Sequence, residues 1–321
     1  MKKIAVLADY LEPSHHALID STAARCGFAV DYYPDCRVPA ELAGTYEVVH
    51  GMPKPGDLKA FTGMKWFCGS FAGVDAYLDD ALYPSPEVML SNSSGAYGVT
   101  IAEHLIMVTL MLLRHAPAYL HHADAHRWGP VMPMRSIIGS TITVLGTGDI
   151  GTEFARRAQA FHPACITGVR RTVRSSDPAF TSIHAIAELD SVLPETDILV
   201  MALPSTAETV GILSRERIAL LPDSAFVVNV GRGTAIDQSA LVEALNAGKL
   251  AGAALDVFEK EPIPAGDPVW DAKNLLITPH ISGQMSLGYT RDKNVALFCE
   301  DLENYAAGRP LKRYVDRKIG Y

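Results

Sequence analysis

Val144-Leu145-Gly146-Thr147-Gly148-Asp149-Ile150-Gly151 decides how this chain of 321 residues is read. An apolar, β-rich run, Thr141–Leu145, leads into it, and an amphipathic run, Ile150–Phe161, leads out. Strand, glycine turn and helix in that order open a βαβ unit. The first glycine makes the tight turn, the second lets a pyrophosphate approach the backbone, and the third lets helix pack on strand. The helix N-terminus then holds the negative charge. With 25 glycines in the chain the bare spacing arises by chance, so the strand–turn–helix setting carries the assignment. Gly146, Thr147, Gly148, Asp149, Ile150 and Gly151 are therefore candidate dinucleotide contacts.

Downstream, strand patterns recur at Cys165–Val169, Ile198–Leu203, Phe226–Val230, Ala251–Leu255 and Leu276–Thr278. Helical patterns lie between them at Ala185–Leu193, Arg215–Leu220 and Gln238–Ala247. Six strands with intervening helices predict a dinucleotide-binding sheet. Upstream, Ile4–Ala8, Phe28–Tyr33, Glu47–His50, Lys65–Cys68 and Val88–Ser91 predict a second parallel sheet of the flavodoxin-like kind, with helices at Ala17–Cys26 and around Leu58–Gly63. A long helix near Ile101–His115 carries the stripe Leu105–Leu113, read as packed core. In Leu287–Ala307, Val295, Phe298, Cys299 and Leu302 repeat at helical spacing. That helix is expected to return to the first sheet. The fold class is thus α/β, two Rossmann-like doubly wound domains: residues 1–99 plus 287–321, and an inserted 100–286, with hinges near Gly98–Thr100 and Gly283–Leu287.

Composition narrows the function. Apolar residues are 48% and charged residues 20%, as in soluble globular chains. The net charge of −8 is not the footprint of a nucleic-acid binder. Cys26, Cys36, Cys68, Cys165 and Cys299 are odd in number and scattered, which predicts free thiols in a reducing compartment and no disulfide framework. The run Ile4–Ala8 is too short for a secretory signal, and Leu105–Leu113 is too short to span a bilayer. A cytoplasmic protein without membrane or nucleic-acid partners is expected. His122 and His126 lie one turn apart but lack a third ligand, so they read as a solvated helix end, and no metal is expected. His15 and His16 read as polar residues of an early loop.

The second strand of the inserted domain indicates which dinucleotide. A site for NAD places a carboxylate about 20 residues beyond the glycines, on the ribose hydroxyl. No carboxylate lies between Glu153 and Asp177, whereas Arg170, Arg171 and Arg174 do. A guanidinium grips a 2′-phosphate bidentately, so NADP(H) is favoured over NAD(H). Three later segments carry acid–base chemistry: Asn229-Val230-Gly231-Arg232-Gly233-Thr234, Asp256 to Pro262, and Thr278-Pro279-His280-Ile281. Each follows a predicted strand, where open α/β sheets bind ligands. Alone, each residue has a plainer reading as a loop or turn residue. Arginine, carboxylate and histidine in this order beside a nicotinamide suit the reduction of a 2-oxo acid.

These stretches, with Leu203-Pro204-Ser205-Thr206-Ala207-Glu208-Thr209, Ala72-Gly73-Val74-Asp75 and Ala102-Glu103-His104, resemble the D-isomer-specific 2-hydroxyacid dehydrogenase family over most of the chain. The family includes glyoxylate/hydroxypyruvate reductases and phosphoglycerate dehydrogenases. The resemblance implies an active site in the cleft between the domains, with 1–99 plus 287–321 binding substrate, and commonly a homodimer. It implies that Arg232 binds the substrate carboxylate and polarises its keto oxygen, that His280 is the acid–base group, and that Glu261 hydrogen-bonds it. A carboxylate beside an imidazole favours its protonated form. Asp256 matches a residue near the nicotinamide carboxamide. The amides of Ala72 and Gly73, next to Phe71, match a nest for the substrate carboxylate. Leu203, Pro204, Thr209, Val230, Gly231 and Thr100 complete the candidate cofactor contacts.

The sequence therefore predicts reduction of a small 2-oxo acid, of glyoxylate or hydroxypyruvate type, to the D-2-hydroxy acid. The alternatives are an NAD-dependent dehydrogenase of a larger, phosphoglycerate-like acid and a non-catalytic, dinucleotide-sensing protein of corepressor type. Gly51–Pro55, Phe71, Tyr97 and Trp128 are the expected pocket walls. Glu261 stands where the formate dehydrogenase branch has glutamine.

Overall fold

Four consecutive residues of the first strand, Ile4 to Leu7, are at most 1% exposed. Their side chains alternate, Ile4 and Val6 into one core cluster and Ala5 and Leu7 into another. A strand apolar on both faces needs cover on both, the condition met in parallel sheets. The computed structural model describes residues 1–173 and 177–321 and divides them into two compact units. One holds Met1–Tyr97 with Gln284–Tyr321, the other Gly98–Gly283. In the first unit β1 (Lys2–Leu7), α1 (Pro13–Arg25), β2 (Phe28–Tyr32), α2 (Ala40–Ala43), β3 (Val48–Gly51), β4 (Trp66–Gly69) and β5 (Met89–Ser91) follow in order. The strands pair in parallel as β2-β1-β3-β4-β5, the flavodoxin-like order.

Two local expectations fail here. The helix expected near Leu58–Gly63 is a 3-10 turn, Pro55–Ala60. His15 and His16 lie in α1, not in a loop: Pro13 occupies the first helical turn, where its missing N–H costs nothing. His15 is buried and completes a capping box, its Nδ1 accepting the Glu12 N–H at 3.0 Å. Its Nε2 lies 2.8 Å from Asp292 Oδ1.

The second unit opens with α3 (Gly98–Leu113) and α4 (Ala116–Asp124), bent apart by 71° where His115 takes a left-handed φ of 53°. Ile101, Ala102, Leu105, Val108, Thr109, Leu112 and Leu113 of α3 are buried, as the stripe predicts. Among the described residues no single helix is long and apolar enough to cross a membrane. Then come β6 (Thr141–Leu145), α5 (Asp149–Ala158), β7 (Cys165–Arg170), β8 (Ser182–Ala185), α6 (Leu189–Val192), β9 (Ile198–Met201), α7 (Arg215–Leu220), β10 (Phe226–Asn229), α8 (Gln238–Asn246), β11 (Gly252–Leu255) and β12 (Leu275–Ile277).

Among the described residues seven strands, one more than expected, pair in parallel as β12-β11-β10-β9-β6-β7-β8. The addition, β8, is a short, half-buried edge strand whose polar residues give no strand pattern. The helix expected at Ala185–Leu193 is reduced to α6, flanked by 3-10 turns that end at Pro194-Glu195. Strand order reverses between β6 and β9, so the switch point, where such sheets bind ligands, lies beside the glycine loop.

Helix α9 (Gly288–Ala306) returns to the first unit, burying Val295, Phe298, Cys299 and Leu302 against Ile4, Val6 and Trp66. Phe298 stacks on the His50 ring at 4.0 Å. Burial holds this imidazole down at about 4, against an ordinary value near 6.5. Between those values the unfolded chain binds the extra proton, so stability present above pH 6.5 is lost as the pH falls towards 4. The loss is at most about 3 kcal/mol. Urea midpoints should fall across that window, and His50→Gln, which cannot charge, should flatten the fall. An unchanged slope in the variant would place the acid sensitivity elsewhere.

Candidate active site

The three glycines of the β6–α5 turn do three different things. Gly146 has φ +98°, and a Cβ there would lie 2.7 Å from the Ala202 carbonyl oxygen. A Cβ on Gly151 would lie 2.0 Å from the Gly146 oxygen, so helix and turn touch. Among the described residues Gly148 has nothing within 4 Å of the same position. It is also the N-cap of α5, which has no side-chain cap. Among the described residues Thr147 Oγ1 is buried without a hydrogen-bond partner. An open second glycine, uncapped helix donors and an orphaned hydroxyl fit a pyrophosphate. Asp149 begins α5 and Ile150 follows; a Cβ on Gly98 would lie 2.5 Å from the Asp149 carboxylate, so that acid also faces the start of α3. Thr100 lies in the first turn of α3.

Arg170 ends β7 and Arg171 follows it, exposed. Arg174 lies outside the described residues. Leu203 and Pro204 follow β9, and Thr209 Oγ1 donates to the Pro204 carbonyl at 2.6 Å, fixing that loop. Val230 extends β10, its N–H donating to Met201 at 3.0 Å.

Arg232 comes next, and its neighbours explain its glycines. A Cβ on Gly231 would meet the Leu203 carbonyl oxygen at 2.6 Å, and one on Gly233 the Phe258 carbonyl carbon at 1.9 Å. The turn is pinned by Asn229, whose Oδ1 accepts the Gly231 N–H at 2.9 Å and whose Nδ2 donates to the Arg232 carbonyl at 2.9 Å. Asn229 was quoted in the sequence only as the start of its segment and given no role, although an asparagine two residues before a glycine is an Asx-turn signal.

The Phe258 segment carries Glu261. Glu261 Oε1 accepts the Phe258 N–H at 2.9 Å, and Oε2 lies 2.6 Å from His280 Nδ1. Arg232, Glu261 and His280 thus follow β10, β11 and β12, neighbouring strands of one sheet. His280 is 54% exposed and has φ +54°, a costly conformation for a residue with a Cβ. It is held there by Asp256. The His280 N–H donates to the Asp256 carbonyl at 2.9 Å. The Asp256 carboxylate, 1% exposed, accepts the Thr278 hydroxyl at 2.6 Å and the N–H groups of Ile281 and Ser282 at 2.9 and 3.0 Å. His104 Nε2 approaches Thr278 Oγ1 at 3.3 Å. Burial holds the His104 imidazole below its ordinary range, partly opposed by Asp256. His104 and Thr278 were quoted in the sequence only as parts of motifs; their packing on Asp256 could not be read there.

Residues 106–282 match the D-isomer specific 2-hydroxyacid dehydrogenase, NAD binding domain. The chain belongs to the D-isomer-specific 2-hydroxyacid dehydrogenase family. It is 32% identical over 257 residues to glyoxylate/hydroxypyruvate reductase A of Klebsiella pneumoniae (strain 342), covering 78% of this chain and 80% of that one. A crystal structure of a family protein from Aeromonas salmonicida superposes with a TM-score of 0.84 at 29% identity, over 98% of this chain and 99% of that one. An NADPH-dependent glyoxylate/hydroxypyruvate reductase from Sinorhizobium meliloti, solved with NADP and sulfate, gives 0.82 at 25% identity over the full length of both. As a member of this family the chain is a nicotinamide-dependent oxidoreductase of the Rossmann type.

The glycine geometry separates folding from binding. Gly151→Ala should destabilise the second unit by about 1–3 kcal/mol, because backbone must move. Gly148→Ala should melt as the native protein does and lose dinucleotide affinity. Scanning fluorimetry with and without NADPH reads both; equal melting losses would contradict the assignment.

Proposed function

We propose that the enzyme reduces a small 2-oxo acid of the glyoxylate or hydroxypyruvate type to the D-2-hydroxy acid, with NADPH preferred. The observation carrying this reading is the 2.6 Å His280–Glu261 contact on the same sheet as the Arg232 turn and the glycine loop. When bound, the nicotinamide supplies the hydride. With Nδ1–H donated to Glu261, which orients the ring, His280 delivers its proton from Nε2 to the forming alkoxide. Arg232 offers its planar fork to the carboxylate and keto oxygen, a preformed positive charge where negative charge develops.

Gly146 to Gly151 would hold the pyrophosphate, and Arg170 and Arg171 the 2′-phosphate. Leu203, Pro204, Thr209, Val230, Gly231, Asp256 and Thr100 would line the rest of the dinucleotide. Phe71, Ala72 and Gly73 would supply the substrate-carboxylate nest. NADP in the Sinorhizobium meliloti relative supports the preference. Five free cysteines agree with a reducing, cytoplasmic setting.

A spectrophotometric screen of NADPH oxidation with glyoxylate, hydroxypyruvate, pyruvate and phenylpyruvate tests the reading. His280→Ala should cut kcat at least about 100-fold with NADPH affinity nearly unchanged, and Arg232→Ala should mainly raise KM for the keto acid. NADH binding tighter than NADPH, insensitive to Arg170→Ala and Arg171→Ala, would overturn the cofactor preference. Absence of turnover with tight dinucleotide binding would favour the sensing alternative.

A homodimer is part of the proposal. Helix α4 buries none of its residues, and Trp128, Val131, Met134 and Ile138 beyond it are 103%, 93%, 61% and 64% exposed. Apolar surface of this density is normally covered by a partner. Sedimentation should give twice the chain mass, and Trp128→Arg with Val131→Arg should shift it towards one chain.

A further inference from the structure

In the first unit, a turn follows β4 at Ser70 to Gly73, and its carbonyls are fastened one after another. Ser93 Oγ donates to Gly69 O at 2.9 Å, Tyr97 OH to Ser70 O at 2.5 Å, Ser93 N–H to Phe71 O at 2.9 Å and Asn92 Nδ2 to Ala72 O at 2.6 Å. Four consecutive acceptors are thus taken by residues of one short segment, 92–97, beyond β5. Among the described residues no protein acceptor takes the N–H of Phe71, Ala72 or Gly73. With the carbonyls of Gly69 to Ala72 drawn towards that segment, the N–H groups of Phe71 to Gly73 are left to face a ligand.

The donors are themselves held. Tyr10 OH lies 2.7 Å from Asn294 Oδ1 and 2.8 Å from Ser70 Oγ. An amide oxygen only accepts, so Tyr10 donates to Asn294 and accepts from Ser70. Asn294 Nδ2 then donates to Ser93 Oγ at 2.7 Å, and Ser93 Oγ in turn donates to the Gly69 carbonyl. The hydroxyl protons of Ser70, Tyr10 and Ser93 each have one acceptor, and Ser70, Ser93 and Asn294 are at most 1% exposed. Burial pushes the Tyr10 and Tyr97 phenols well above their ordinary range, so both stay donors. Apolar side chains would fill this space at less cost in desolvation. What the polar ones add is direction.

We propose that Asn92 and Tyr97, steadied by the Tyr10–Asn294–Ser93 relay, are positioning residues that aim the Phe71–Gly73 amides at the substrate carboxylate. This rests on the carboxylate-nest reading of that turn. Tyr97 reaches the turn through the Ser70 carbonyl and Asn92 through the Ala72 carbonyl, with Asn92 Oδ1 accepting the Ser94 N–H at 3.2 Å; both act on recognition of a carboxylate and not on the proton transfer.

The experiment compares glyoxylate with methyl glyoxylate, its neutral ester, in Asn92→Ala and in Tyr97→Phe, which keeps the ring expected as a pocket wall and removes only the hydroxyl on Ser70 O; either variant suffices if the other fails to fold. The expected result is a KM for glyoxylate raised about tenfold, with kcat and NADPH affinity nearly unchanged and kcat/KM for the ester unaltered. Equal losses on acid and ester, or no loss on either, would overturn the inference. In parallel, oxamate is titrated into the 15N-labelled native protein saturated with NADP. Amide shifts at Ala72 and Gly73 support the nest; their absence removes that reading, and the inference with it, whatever the variants do. Shifts in the native protein with unaltered variants would defeat the positioning role alone.

Discussion

A buried carboxylate holds the reactive edge of the second unit together. Removing the charge of Asp256 from water is costly unless it is hydrogen-bonded. The donors it takes, the Thr278 hydroxyl and the N–H groups of Ile281 and Ser282, all belong to the loop that carries His280. Satisfying the charge therefore folds the loop, and the folded loop forces His280 into a left-handed backbone conformation. The strain persists because backbone and side chain of Asp256 fix the residues on both sides. Glu261 then has only to orient the ring.

The two units solve the same problem with different means. In the second, close approach of backbone to backbone is made possible by missing side chains at Gly146, Gly151, Gly231 and Gly233. In the first, the Ser70–Gly73 turn is shaped by side chains that reach in from Asn92, Ser93 and Tyr97. Both arrangements lie beyond the carboxyl ends of parallel strands, where the chain leaves the ladder and N–H groups can be turned outward.

This difference explains what could be read from the sequence. Glycine is compulsory at Gly146 and Gly151, so the phosphate turn announces itself, and the flanks of Arg232 do likewise. Continuous apolar strands such as Ile198–Met201 are equally plain. Edge strand β8 was missed because its half-buried Ser-Ile-His-Ala gives no period. The start of α1 was misjudged because Glu12 and Pro13 look like loop residues until the His15 imidazole is seen to cap them. The polar relay behind the first turn draws on Tyr10, Ser70, Ser93 and Asn294, which lie far apart in sequence. No local pattern distinguishes such residues from ordinary loop polarity. Likewise, the pairing of Glu261 with His280 was legible only through the family resemblance, since 19 residues separate them.

The return of α9 imposes an order on biosynthesis. On the ribosome the first 97 residues emerge well before the helix that covers Ile4, Val6 and Trp66. The second unit, contiguous in sequence, can close while this face of the earlier sheet still waits for its lid. Nascent chains halted before Gly288 would thus display an oily, half-built sheet beside a finished neighbour, a natural substrate for chaperones that bind exposed apolar strands.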